Sequence, residues 1–296
     1  MTSDRYHLTP VEDHQGVYFK REDAFKIGMV NGSKLRAFCH ILEDALRTSD
    51  IKTVVSASAV VSPQSAIAAT VAARFGLRSV TIVGGTTPEK AVRHAPIAVA
   101  CAEGSHIEAI KVGYNPALQS AARKYVASHE GSWHVPYGLG PGHDADAVSI
   151  SDFMENSGTA SQVQNLPDST RTLVLPFGSG NTVTAVVYGL LKHGAPRDLQ
   201  SIRLMTIGPD RWDELKSRFD KVGLRKEFDS LPFDRIHLFP DFATYGATMK
   251  EKFDGINFHP TYEGKIIRWM NQNLPHWWVD RDGTTTMWIV GGPLDV

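Results

Sequence analysis

Cysteine is nearly absent: Cys39 and Cys101 are the two thiols in 296 residues. Two thiols make no disulfide framework. Cys39 falls in a helical pattern beside Phe38 and Ile41 and reads as a small buried hydrophobe. Long apolar runs are absent too. No stretch approaches the ~18 residues of a membrane span, and the opening MTSDRYHLTP has no apolar stretch of signal-peptide type. The expectation is a soluble, cytoplasmic protein with no membrane partner. Charge of one sign is also lacking: 31 Lys plus Arg stand against 32 Asp plus Glu, for a formal net charge of −1. Without a basic tract the composition gives no evidence for nucleic acid as a partner or for a polybasic anchor. No internal repeat or low-complexity tract stands out.

What is present is strand followed by helix, repeated. Ile51–Val55 is a short β-branched strand, and SASAVVSPQ leads into an Ala-rich helix over Pro63–Phe75 closed by Gly76. Ser79–Val83 is a strand, Glu89–Glu103 a helix kinked at Pro96, His106–Val112 a strand and Pro116–His129 a helix. A second series follows: strand Thr172–Leu175, helix Val183–His193, strand Ser201–Ile207 and a last apolar run Met287–Val290. Two strand–helix series with parallel-type apolar strands predict two α/β domains. The Gly-, Ser- and Asp-rich segment Tyr137–Pro167 is the expected crossing between them.

Four segments carry candidate chemistry. Asn31-Gly32-Ser33-Lys34 ends a Gly-rich loop, and Leu35, Phe38, Leu42 and Ala45 then follow helical spacing. This puts Lys34 in the first turn of a helix, where the helix dipole disfavours a cation. The same residues also read as a surface loop and a helix capped by Ser33. Gly178-Ser179-Gly180-Asn181-Thr182 joins a strand to a helix, the arrangement of an anion site built from backbone N–H groups and hydroxyls. It is no dinucleotide fingerprint, since Val183 stands where the third glycine belongs. Nor is it a Walker loop, which needs Gly-Lys-Ser/Thr, or a nucleophile elbow, which needs glycine at Phe177. The alternatives left are a phosphomonoester cradle and a tight turn without ligand. Ser62 suits an N-cap and Pro63 the first helical position, leaving Gln64 and its small polar loop for a substrate carboxylate. His259-Pro260-Thr261-Tyr262-Glu263-Gly264-Lys265 reads as a turn opening a helix over Ile266–Asn271. His143, Asp144 and Asp146 lack a second ligand pair at metal spacing, so no metal is expected. Trp277 and Trp278 beside His276 read as core or interface.

In this order the segments resemble the fold type II pyridoxal-phosphate (PLP) enzymes, the tryptophan-synthase-β-like superfamily. Within it, the chain most resembles the branch of 1-aminocyclopropane-1-carboxylate deaminase and D-cysteine desulfhydrase. That branch has a K-R-(E/D)-D segment and an (N/S)-K-(L/I)-R motif, here Lys20-Arg21-Glu22-Asp23 and Ser33-Lys34-Leu35-Arg36. Its Ser-Asn-Gln helix start is Ser62-Pro63-Gln64. Its Gly-rich return is matched by VPYGLGPG at 135–142, its phosphate loop by GSGNT, its D-P-x-Y-E-G-K motif by 259–265, and its terminal Gly-Gly pair by Gly291-Gly292. One departure is Pro63, which replaces the asparagine that reaches the cofactor's 3′-oxygen, with Asn31 a substitute. Another is Ser33, which replaces the asparagine common before the lysine.

The resemblance implies a three-layer αβα, two-domain α/β fold, with a large PLP-binding domain over 1–48 and 139–296 and a small domain over 49–138. It implies pyridoxal 5′-phosphate held as a Schiff base on Lys34, its phosphate on Gly178, Ser179, Gly180, Asn181 and Thr182, and its pyridine nitrogen beside Glu263. Tyr245 and Tyr262 match the branch's two active-site tyrosines. Ser62 and Gln64 match its carboxylate contacts, with Ser62 a second acid/base. The expected function is a deaminase or lyase acting on a small amino acid, in a homodimer. Racemisation, decarboxylation or β-replacement, also on an amino acid carried by a larger molecule, is the alternative within PLP chemistry. A non-catalytic ligand-binding protein of the same fold is the alternative outside it, and the presence of Lys34 and Glu263 speaks against that.

Overall fold

Apolar strands alternating with helices require sheets covered on both faces, and the chain forms two such sheets. The computed structural model describes residues 4–142, 144–238, 248–273 and 284–294. The chain begins with the hairpin β1 (Val11–His14) and β2 (Val17–Arg21). It continues through β3 (Lys26–Ile27), β4 (Val30–Asn31), α1 (Ser33–Thr48), β5 (Thr53–Ala57), α2 (Gln64–Arg74) and β6 (Arg78–Gly84). Then come α3 (Pro88–Ala91), α4 (Ala95–Ala102), β7 (His106–Ile110), α5 (Asn115–Ser128) and β8 (Ser132–His134). The next stretch holds α6 (Ala147–Asn156), β9 (Thr170–Phe177), α7 (Asn181–His193), β10 (Ser201–Thr206), α8 (Trp212–Lys221) and α9 (Arg225–Asp229). Last are β11 (Phe233–His237), β12 (Lys252–Phe253), β13 (Ile256–Asn257), α10 (Glu263–Asn273) and β14 (Thr284–Ile289).

Two compact units result: Met1–Phe25 with His143–Pro293, and Lys26–Gly142 with Leu294–Val296. The larger unit has the strand order β1-β2-β14-β9-β10-β11, parallel except for β1 against β2. Alternation along its strands sorts the core onto two faces. Leu173, Leu175, Phe177 and Trp288 pack with Val183, Val186 and Leu190 of α7. Val174, Met287 and Ile289 pack with Ile266, Ile267 and Met270 of α10. This is the three-layer arrangement the resemblance implies.

The smaller unit has the all-parallel order β7-β6-β5-β8. Val55, Ala57, Val80 and Ile82 face Leu118 and Ala122 of α5. Helix α2 packs against β5 and β6 and also against α1 and α4. It is therefore apolar all round, with Ala66, Ile67, Ala68, Ala69, Val71 and Ala72 buried. Residues 26–48 cluster with this smaller unit, not with the larger one, because α1 packs on α2 and Phe38 stacks on Trp133 at 6.3 Å.

The structure corrects several boundaries. The helix expected over Glu89–Glu103 is two helices, α3 and α4, because Pro96 starts a new helix at its N1/N2 position. Ser33 does not cap α1: Gly32, at φ 95°, holds that place and Ser33 is the first helical residue. Helix α2 begins at Gln64, with Pro63 at the cap, and Ser62 Oγ accepts from the Gln64 N–H at 3.3 Å. Helix α10 begins at Glu263, three residues earlier than expected. The crossing segment contains an unforeseen helix, α6, capped by Asp146, whose carboxylate accepts from the Ser149 N–H at 2.7 Å.

Helix α7 also packs on the 3-10 turn Ala160–Asn165. A Cβ on Gly189 would lie 2.2 Å from the Ala160 carbonyl oxygen. Gly189→Ala should therefore lower stability by about 1–3 kcal/mol, read as a lower urea midpoint at unchanged slope. At Gly142 a Cβ meets nothing within 4 Å, and Gly142→Ala should stay within ~0.5 kcal/mol of the parent.

Candidate active site

The strand order of the larger unit reverses at β9, with β10 and β11 on one side and β14 on the other. Parallel α/β sheets bind ligands at the carboxyl ends of strands beside such a reversal. The loop Gly178–Gly180 leaves β9 at that point and enters α7. Gly180 is the helix cap with φ 82°, a left-handed conformation that disfavours any side chain. The Thr184 N–H and hydroxyl both donate to the Gly180 carbonyl, at 2.8 and 2.9 Å. The first-turn N–H groups of α7 have no intrahelical acceptor and point out of the helix end. Such a helix end suits an anion. Asn181 is buried, and Ser179 and Thr182 are partly exposed.

At the end of β14, on the neighbouring strand, lies Glu263, the first residue of α10 and fully buried. Its Oε1 accepts from the Val290 N–H at 2.7 Å. Its Oε2 is buried without a hydrogen-bond partner. Burial raises the Glu263 pKa to about 8 and Asp23 adds to the rise, while the amides of Val290 and Gly291 pull the other way. The terminal Gly-Gly pair thus begins with an amide that faces this carboxyl. Gly264 admits no side chain, since a Cβ there would lie 2.0 Å from the Met249 carbonyl oxygen. Tyr262 is half-buried, its ring 4.9 Å from that of His259.

The KRED segment is structural. Lys20, buried, donates to the Thr9 carbonyl at 2.8 Å and to Asn165 Oδ1 at 2.7 Å. Glu22 accepts from the Thr9 hydroxyl at 2.6 Å, and Arg21 forms a bidentate pair with Asp23 at 2.9 and 2.8 Å.

Lys34, Asn31, Ser62 and Gln64 belong to the smaller unit. Its strand order reverses at β5, with β6 and β7 on one side and β8 on the other. The loop after β5 carries Ser62 and leads to Gln64, and the loop after β8 is the Gly-rich return. Gln64 Oε1 accepts from the Gly138 N–H at 2.9 Å, so one buried side chain ties the two loops together. Its Nε2 is buried without a partner, as is the hydroxyl of Ser33 beside Lys34. Native structures rarely leave such groups alone unless a ligand or water completes them. Lys34 is partly buried in the first turn of α1, and Asn31 is buried at the end of β4.

These residues fit the cofactor the resemblance implies. The unpartnered Glu263 Oε2 suits a protonated ring nitrogen, the Gly180 cradle a phosphate, and Gln64 Nε2 a carboxylate. Tyr245, His143 and the run His276–Trp278 lie outside the described residues. Among the described residues no His, Cys, Asp and Glu group could hold a metal ion, and no helix is long and apolar enough to cross a membrane.

The Glu263 carboxyl titrates near its ordinary 4.5 when unfolded and at about 8 when folded. Between those values the folded chain binds more protons, so stability falls as pH rises through that window. Melting of the cofactor-free protein should show this decline. Glu263→Gln, which has no proton to lose, should flatten it.

Comparison with known proteins agrees with the geometry. The profile of the pyridoxal-phosphate dependent enzymes matches residues 5–237. The chain is 27% identical to the O-seryl-dTMP PLP-dependent decarboxylase of Salmonella phage ViI, across 95% of this chain and 79% of that protein. It is 24% identical to the 1-aminocyclopropane-1-carboxylate deaminase of Mesorhizobium japonicum, across 90% of this chain and 86% of the other. A solved structure of an ACC deaminase homologue superposes with a TM-score of 0.71 at 17% identity, covering 97% of this chain and 90% of that one. A glycine-rich helix start at a strand-order reversal, a buried carboxyl with one unpartnered oxygen and a helix-start lysine thus accompany a profile match over most of the sequence, and the chain belongs to the pyridoxal-phosphate dependent enzyme family.

Proposed function

We propose that this enzyme forms a carbanion at Cα of an amino acid by loss of carbon dioxide, and that the amino acid is carried on a nucleotide. The observation that supports carbanion chemistry is Glu263, a buried carboxyl with one oxygen left for a ring N–H. Pyridoxal phosphate, when bound, supplies the electron sink, and a protonated ring makes that sink strong. Lys34 Nζ would hold the cofactor covalently and, as a free amine, would return a proton to Cα. The N–H groups of Gly178–Thr182 hold the phosphate. Ser62 and the buried Nε2 of Gln64 would orient the substrate carboxylate. Tyr262 and Tyr245 are the further groups for proton transfer, and a homodimer is the assembly we expect.

The carrier-linked reading draws on the relationship to the O-seryl-dTMP decarboxylase and on what surrounds Ser62 and Gln64. Large apolar side chains stand exposed on the same loops: Val61 at 41% and Tyr137 at 47%. Tyr114, 62% exposed, precedes α5, whose Gln119 donates to the Ala57 carbonyl at the end of β5 at 2.9 Å. A free small amino acid needs none of these, whereas a pyrimidine ring can stack on an exposed tyrosine. Deamination or elimination on a free small amino acid is the second reading, favoured by the relationship to the cyclopropane-carboxylate deaminase.

Borohydride reduction of the loaded enzyme should fix the cofactor on Lys34, as read by peptide mapping. A label on Lys20 or Lys265 would overturn the assignment. Incubation with a seryl nucleotide should release carbon dioxide and leave the amine attached to the carrier. Ammonia with keto acid would decide for the second reading.

Tyr137→Ala should raise KM for the nucleotide-linked substrate about tenfold, the size of one lost stacking contact. Turnover of a free amino acid, if measurable, should be unaffected. An equal effect on both would remove Tyr137 from carrier recognition.

A further inference from the structure

Helix α8 holds a charged side chain that the site described above does not use. Arg218 is 4% exposed. Its Nη2 donates to Glu214 Oε1 at 2.9 Å, and the other oxygen of Glu214 takes Arg211 Nη1 at 2.8 Å. Its Nη1 donates to Thr184 Oγ1 at 3.0 Å. The Thr184 hydroxyl in turn donates to the Gly180 carbonyl at 2.9 Å. The same Nη1 lies 3.6 Å from where a Cβ on Gly180 would stand. A buried guanidinium is thus wired through one hydroxyl to the glycine that shapes the anion cradle.

The peptide joining Gly180 to Asn181 is planar and trans, so its C=O and N–H point in opposite directions. Fixing the carbonyl inward, along α7, fixes the Asn181 N–H outward, toward whatever the cradle binds. Threonine hydroxyls in helices often bond back to a carbonyl four residues earlier, and that bond alone is weak. Here the hydroxyl also accepts from a cation, which polarises its O–H and strengthens the bond it donates. The Arg218 charge is itself costly to bury: desolvation lowers its pKa despite Glu214. A stability role alone is poorly served by such a group, since well-packed apolar residues usually do as well.

We propose that Arg218 is a positioning residue for the cofactor's phosphate. Acting through Thr184, it orients the Gly180–Asn181 peptide so that its N–H faces the phosphate, and it touches neither substrate nor reacting atoms. The inference rests on the reading of Gly178–Thr182 as the phosphate cradle.

The test is a titration of wild type and variants with PLP and, separately, with pyridoxal, which lacks the phosphate. It is followed by absorbance, with circular dichroism to verify folding. Thr184→Val removes the relay hydroxyl at nearly constant volume, and Thr184→Ser restores it. Arg218→Gln removes the cation. Thr184→Val and Arg218→Gln should each weaken PLP about tenfold or more and leave pyridoxal affinity unchanged. Thr184→Ser should bind like wild type, and the phosphorus NMR signal of bound PLP should shift in Thr184→Val and Arg218→Gln but not in Thr184→Ser. Equal losses for both ligands, or no loss for either, in folded Thr184→Val would overturn the proposal. The cradle reading fails in a different way: wild type itself would then bind pyridoxal as tightly as PLP. Should Arg218→Gln not fold, the two Thr184 variants decide the matter alone.

Discussion

A carboxyl group sealed from water, with one oxygen bonded and one not, is the constraint around which the larger unit is arranged. Leaving a buried polar atom without a partner costs about 1–3 kcal/mol, and Glu263 bears that cost in the fold as it stands. Its position is set on three sides. Helix α10 begins at Glu263, the Val290 amide holds one oxygen, and the Met249 backbone presses so closely that only glycine fits at position 264. The buried KRED network lies on the strand that pairs with β14 and keeps Asp23 near enough to disfavour the charged carboxylate. A group held so firmly suits the role proposed for it, facing a hydrogen-bond donor that brings positive charge.

The two units solve the same problem in the same way. Each sheet reverses its strand order once, and at each reversal a loop of small residues precedes a helix. The chemistry differs because the loops differ. After β9, glycines leave backbone amides open at the helix start. After β5, Ser62 and the partnerless end of Gln64 offer side-chain donors instead. The two candidate loops thus belong to separate sheets, each with its own core.

Much of this was legible in the sequence. The strand-to-helix alternation located β5, β6, β7, β9, β10 and β14, since buried strands such as β5 and β9 read as short apolar runs, and it missed β2, β8 and β11, which carry polar or charged residues. The GSGNT, NGSK and YEGK segments were visible because glycines and a misplaced cation break local pattern. What escaped had physical reasons. Helix α6 was hidden in a polar segment because one asparagine-like cap, Asp146, set its start. Helix α10 was placed three residues late because its first turn, Glu263-Gly264-Lys265, carries a glycine and two charges and reads as part of the preceding turn. Arg218 gave no signal, since WDELKSRFDK reads as an ordinary exposed helix whose Glu214–Arg218 spacing suggests a surface pair. The bond between Gln64 and Gly138 joins residues far apart in sequence, and no local rule could connect them.

That bond also divides the loops into parts that are free to change and parts that are not. Gln64 and Gly138 hold two loops to each other, so a substitution at either loosens both. Val61 and Tyr137, next along the same loops, are largely open to solvent and contribute little to the core. Evolution can therefore exchange the side chains at 61 and 137 at almost no cost in stability, while the bond between Gln64 and Gly138 stays in place. A scaffold built this way is suited to acquiring new substrates by changes at its rim, with the reacting centre left as it was.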